Sequence, residues 1–216
     1  MTEGYAPEAV VNYLCLLGWS PKNNREKMAI AEVVELFDLP QILRHNARFD
    51  LTKLTWLNGE YIRDMQNDRF YELSLHALNA AGLDTHKFDP TYVKAALDTC
   101  KGKFKLFGEL PAYAGFYFKE EVTWSAEDAQ REFTPENKSR LQKLREALAA
   151  LEPFDHEQIG ATLAGVAKSL GIKTGQLVHP TRLACCGAPS GPSLYHLIQI
   201  LGKTRSLQRI DRALAL

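Results

Sequence analysis

The hydrophobic period of this chain admits helices and almost nothing else. From Glu8 to Gly18, apolar residues fall at positions 9, 10, 13, 14, 16 and 17, one stripe of a helix. Gly18 reads as its stop, with Pro21 just beyond. Ala29–Phe37 repeats the pattern. Asp50 is placed to N-cap Leu51–Leu57, Asn58-Gly59 to break that helix, and Tyr61–Met65 to begin the next. Phe70–Ala81 is closed by Gly82, and Asp89-Pro90 opens a helix that should run to about Cys100. Gly102 interrupts before Lys103-Phe104-Lys105, and Gly108–Phe118 reads as connection because aromatic, proline and glycine residues crowd it. Thr134-Pro135 opens Glu136–Leu151, and Asp155 opens a helix to Leu170 that Gly171 stops. The last helices are Ser193–Leu201 and Thr204–Leu214. No alternating strand of six or more residues is present. The expected fold class is all-α, mainly α-helical, with linkers at 64–69 and 119–134.

At 216 residues and 45% hydrophobic, the chain can bury a large core or two smaller ones. Ten phenylalanines exclude a disordered polymer. No apolar run reaches the roughly 18 residues of a membrane span, so no membrane association is expected. The start, Met1-Thr2-Glu3-Gly4-Tyr5, has neither a basic end nor an apolar stretch. Cys15, Cys100, Cys185 and Cys186 include no Cys-x-x-Cys pair and read as buried small hydrophobes. A cytoplasmic location is expected.

Charge is uneven. Lysine plus arginine equals aspartate plus glutamate at 26 each. Yet residues 165–216 carry Lys168, Lys173, Arg182, Lys203, Arg205, Arg209 and Arg212 against Asp211 alone. Clustered bases are the usual footprint of phosphate binding, although a solvated helical face produces the same count. Enzyme motifs are missing. Gly202-Lys203-Thr204 imitates the end of a P-loop, but position 197 is leucine where the motif needs glycine. Lys27-Met28 starts like a nucleotide-binding ligase signature and does not continue. His45, His76, His86, His156, His179 and His196 show no metal-ligand spacing, and His45, His86 and His156 fall near loops and read as exposed. Neither catalytic nor metal-binding residues are expected.

Two stretches are more specific. One is Gly4-Tyr5-Ala6-Pro7-Glu8-Ala9-Val10-Val11-Asn12-Tyr13-Leu14-Cys15-Leu16-Leu17-Gly18-Trp19-Ser20, the other Phe49-Asp50-Leu51-Thr52-Lys53-Leu54-Thr55-Trp56-Leu57-Asn58-Gly59-Glu60-Tyr61-Ile62-Arg63. A third block is Pro180-Thr181-Arg182-Leu183-Ala184, Gly187, Gly191-Pro192-Ser193-Leu194-Tyr195 and Leu201-Gly202-Lys203. Together, and in order along essentially the whole chain, they resemble the C-terminal portion of bacterial glutamyl-tRNA synthetases, class I enzymes. The resemblance implies the end of a stem-contact domain over 1–66, then two helical anticodon-binding domains, 67–132 and 133–216, forming a helix cage. It implies glutamate tRNA as partner, with glutamine tRNA open, and a monomer. It places ATP and Mg2+ in a catalytic half whose two nucleotide-binding signatures are absent here, so no cofactor is expected in this chain.

The resemblance also implies site residues. Trp56, Tyr61 and Arg63 fall in the segment that looks like the tRNA stem contact, although core packing is the simpler account of both aromatics. Lys101 and Lys103 fall where the family reads the anticodon. Arginine is common at the position of Lys103, and lysine lacks its planar fork. Arg182 matches the family's Pro-x-Arg position, and Gly191 and Leu194 fall where backbone and apolar surface meet anticodon bases. The leading expectation is the tRNA-binding half of glutamate–tRNA ligase, non-catalytic by itself. The alternatives are a free-standing tRNA-binding module and a helical protein-interaction scaffold.

Overall fold

The computed structural model describes residues 4–21, 25–42 and 47–216. Twelve α-helices and no strand occur among them: α1 Pro7–Gly18, α2 Ile30–Leu36, α3 Leu51–Asp64, α4 Asn67–Ala80, α5 Pro90–Asp98, α6 Leu110–Ala114, α7 Ala126–Glu132, α8 Pro135–Ala149, α9 His156–Ser169, α10 Gly175–Cys186, α11 Leu194–Leu201 and α12 Lys203–Leu214. Four of the twelve starts are those the caps predict. Asp50, Asp89, Thr134 and Asp155 each accept from backbone N–H groups of the first turn, filling donors that a helix cannot satisfy internally.

The chain divides into two compact units, residues 1–82 with 101–111, and residues 83–100 with 112–216. In the first unit, α1 packs on α2 and α3. Tyr13, Leu54 and Leu57 form one core, and Trp19, Met28 and Val33 another. Phe104 and Phe107 return from the 101–111 segment to stack around Phe70, with centroids 6.3 and 6.2 Å away. In the second unit, α8 packs on α9, α10 and α12, and α11 on α5, α9 and α12. Leu141, Leu144, Leu163, Leu177, Leu197 and Ile210 are fully buried there.

Several sequence expectations are corrected. Asn58-Gly59 does not break a helix, since α3 runs through both to Asp64. Asn58 is fully buried; its Oδ1 accepts from the Ala6 N–H at 2.8 Å and its Nδ2 donates to the Lys105 carbonyl at 2.5 Å. Tertiary partners outweigh the turn preference of the pair. Tyr61–Met65 is therefore the last turn of α3, not a new start. Gly108–Phe118 is not bare connection. It holds α6 between 3-10 turns at Phe107–Glu109 and Gly115–Phe118, with Phe116, Tyr117 and Phe118 buried.

Residues 119–134 are not a linker either. They contain α7, capped by Ser125, and buried Val122 and Phe133. Trp124 Nε1 donates to the Leu183 carbonyl at 2.8 Å, which ties this segment to α10. α10 is not expected from the sequence, because Pro180 sits inside it. The helix tolerates the proline as a buried residue and closes on Gly187, at φ +81°, whose N–H reaches the Leu183 carbonyl at 2.9 Å. A Cβ on Gly187 would stand 2.7 Å from the Thr123 carbonyl oxygen, so no larger residue fits.

His156 is half-buried rather than exposed, and His86 is exposed as expected; His45 lies outside the described residues. Cys100, Cys185 and Cys186 are buried and Cys15 is half-buried.

Candidate nucleic-acid interface

The predicted site residues fall into two groups, one in each unit. In the first unit, the 101–105 segment lies against α3. Lys101 Nζ donates to the Met65 carbonyl at 2.6 Å and to Asn67 Oδ1 at 2.7 Å, and stands 5.4 Å above the Phe70 ring. It fastens the α3–α4 turn, and most of its donor capacity is already used. Gly102, at φ +73°, turns the chain beside the Arg63 stem, 3.5 Å from Arg63 Cγ to an ideal Cβ. Phe104 is buried and anchors the segment, so its neighbours Lys103 and Lys105 face out and are exposed. The Lys105 stem crosses α3 at Gly59, where an ideal Cβ would lie 3.2 Å from Lys105 Cγ.

Arg63 is exposed and pairs with Glu60 at 2.7 Å. Lys103 and Lys105 form no ion pair among the described residues. The result is a short basic strip, Arg63–Lys103–Lys105, on one face of the first unit. Lys105 was not picked out in the sequence; its signal was the strict alternation around buried Phe104. The two aromatics behave differently. Tyr61 is half-buried, its hydroxyl hydrogen-bonded to Asn12 Oδ1 at 2.8 Å and donating to the Met28 carbonyl at 2.5 Å, and burial raises its pKa. Trp56 is 41% exposed, which leaves its ring available to a partner.

In the second unit, Arg182 comes from α10, and Gly191 and Leu194 from the turn into α11. The Arg182 guanidinium donates through Nη1 to the Pro192 carbonyl. An ideal Cβ at Gly191 would lie 3.6 Å from that same Nη1, so the glycine keeps a side chain from covering the guanidinium. Arg182 makes no ion pair among the described residues and retains further N–H donors. Leu194 is 3% exposed. Its side chain is part of the α11 core face and is not available to a base.

The C-terminal basic excess is mostly internal. Arg209 is 3% exposed and donates to the carbonyls of Cys185, Phe116 and Lys119; burial lowers its pKa. Arg205 donates to the Tyr92 hydroxyl and the Tyr117 carbonyl. Arg212 donates to the Val122 carbonyl and lies 4.9 Å over the Trp124 ring. Lys203 holds the Leu151 carbonyl and Glu152. Four of the seven bases thus tie helices and turns together. Lys168, Lys173 and Arg182 remain for an outside partner.

In the first unit a basic strip whose Lys103 and Lys105 form no ion pair among the described residues, and in the second a guanidinium beside a glycine turn, supply the chemistry that RNA binding uses: charges for phosphates and a planar fork for a base edge. The chain belongs to the anticodon-binding domain family of tRNA synthetases, whose model matches residues 69–214, while that of the class I (E and Q) catalytic domain matches residues 1–56.

Among class I enzymes it is similar to glutamate–tRNA ligases. It is 36% identical over 215 residues to the glutamate–tRNA ligase of Moorella thermoacetica, covering 98% of this chain and 44% of the relative. It is 36% identical over 208 residues to that of Methylacidiphilum infernorum, covering 96% and 47%. The crystal structure of a glutamate tRNA ligase from Elizabethkingia meningosepticum, in complex with its amino acid, superposes with a TM-score of 0.87 at 26% identity, over 98% of this chain and 41% of that one. The chain spans less than half the length of these relatives.

Proposed function

We propose that this chain is the tRNA-recognition part of a glutamate–tRNA ligase. It binds and orients glutamate tRNA and does no chemistry itself, while ATP and Mg2+ serve a catalytic half that supplies activation and transfer. The observation that carries this reading is the match of two synthetase family models, in order, across residues 1–56 and 69–214. The surface of the N-terminal part supports it. Ten of the twelve exposed large apolar residues among those described lie between Val11 and Leu51, within the segment matching the catalytic-domain model. In this reading the remainder of the catalytic domain covers these residues.

Arg63, Lys103 and Lys105 hold backbone phosphates in this reading. Lys101 positions that strip rather than contacting RNA, Tyr61 positions the segment around Met28, and Trp56 offers a ring to the stem. Arg182 and the Gly191 backbone read the anticodon. Lysine at 103 gives charge without the bidentate fork, so the reading of base edges falls to Arg182 in the second unit. The chain acts as a cytoplasmic monomer. Titration with labelled glutamate tRNA at two salt concentrations tests the reading: binding should weaken with salt, and Lys103→Ala should lower the salt slope by about one. Salt-independent binding, or none, overturns it.

A further inference from the structure

Burial of Leu194 removes the apolar side chain that was expected to meet a base. A different flat surface stands beside the Arg182–Gly191 turn. His196, two residues further along α11, is exposed, and its ring stacks on that of His156 at the start of α9, with centroids 4.3 Å apart and 24° between planes. The pair is joined to the Arg182 site through the chain itself. Arg182 holds the Pro192 carbonyl, and Ser193 Oγ lies 3.2 Å from His196 Nδ1.

Both rings are held before any ligand arrives. The His156 backbone N–H donates to Gln199 Oε1 at 3.0 Å, which requires the amide oxygen to face it. His156 Nδ1 lies 3.0 Å from that same oxygen and must therefore carry the proton. The imidazole is held in one orientation with Nδ1 as donor, and His196 rests on it.

We propose that the His156–His196 stack is a base-stacking platform that extends the Arg182–Gly191 site and receives one unstacked nucleotide of the anticodon loop. Unpaired loop bases are recognised by stacking on aromatic or imidazole planes and by hydrogen bonds to their edges, and this turn supplies both. Asp155 and Glu157 flank His156 in sequence, which favours a neutral base over a phosphate. An ordered pair of rings spares the ligand the cost of fixing them. The inference rests on the tRNA-binding reading above and adds a residue pair that the sequence blocks did not single out.

The test measures binding of glutamate tRNA transcripts in which one anticodon-loop nucleotide at a time is abasic. The wild-type chain is compared with His196→Ala, His196→Phe and His156→Ala, and each melting curve is followed by circular dichroism. His196→Ala should weaken binding to intact tRNA by about 5- to 150-fold, the range of base–aromatic stacking, and His196→Phe should keep it within about threefold. One abasic position should cost the wild type that same factor and cost His196→Ala nothing. The platform is overturned if His196→Ala binds like wild type, if it loses affinity equally with every abasic transcript, or if its loss tracks a lower melting temperature. A wild-type chain blind to the anticodon would sink the functional reading first and the platform with it. Failure of the histidine variants alone would leave that reading standing.

Discussion

Replacing Arg209 by methionine separates two meanings of a positive charge. By sequence alone Arg209 belongs to a basic stripe, and its loss should weaken phosphate binding. In the structure it is 3% exposed and donates to three carbonyls, those of Cys185, Phe116 and Lys119. Methionine fills much of the volume and supplies no donor. A buried carbonyl stripped of its donor costs about 1–3 kcal/mol. Lys119 is exposed, so water can reach its carbonyl and recover part of that. The wild-type guanidinium is itself desolvated and leaves Nε without a partner, which offsets the loss further. The net destabilisation is about 3 kcal/mol, or a fall of roughly 10 °C in melting temperature for a unit of this size. The assay is a thermal melt beside a tRNA titration at low temperature, where the variant remains folded. The reasoning is refuted if Arg209→Met melts within about 2 °C of wild type and loses tRNA affinity.

Other outcomes can be checked in the same laboratory. Asn58→Ala strands the Ala6 N–H and the Lys105 carbonyl and should cost about 2–4 kcal/mol in urea unfolding. Gly59→Ala should be nearly neutral, since helix propensity gains about 1 kcal/mol and the only close neighbour is the flexible Lys105 stem; an unchanged salt slope for tRNA would confirm that Lys105 can shift. Burial pushes the Cys100 thiol up to about 11 and Cys185 up to about 12, so both stay protonated at pH 8. A native-state thiol titration should then modify Cys15 and spare those two until denaturant is added. Asp64, Asp89, Asp128 and Asp211 are held below the ordinary carboxylate range, chiefly by hydrogen bonds from Lys27, the Thr91 backbone, Ser125 and Arg145 respectively. Their contribution is complete above about pH 4 and lost as pH falls through the depressed values, so melting temperature should be level above pH 5 and decline below pH 4.

Helix starts were legible because their signals are local: an aspartate or threonine beside a proline or an apolar stripe needs no distant partner. What could not be read depended on distant partners. Asn58-Gly59 has the composition of a break, yet α3 continues because Ala6 and Lys105 bond to Asn58 from elsewhere in the chain. α10 hid behind Pro180, and α7 behind a segment whose polar surface disguised Trp124 and Phe133, a ring pair 5.3 Å apart. The C-terminal charge count was correct, but counting cannot tell Arg182, beside a bare glycine, from Arg209, enclosed among carbonyls. The resemblance set Leu194 where apolar surface meets anticodon bases, but burial shows that its side chain points into the core. His156 and His196 lie forty residues apart in sequence, and no pattern in the chain predicts that their rings meet.

Anticodon reading is what separates the proposed function from that of a generic basic surface. The most direct measurement is titration of the full 216-residue chain with glutamate tRNA and with the same tRNA carrying a replaced anticodon, at low and moderate salt. The account predicts salt-dependent binding to both and weaker binding when the anticodon is changed, with the difference abolished in Arg182→Ala. Equal affinity for the two tRNAs, or a difference that survives Arg182→Ala, would contradict it.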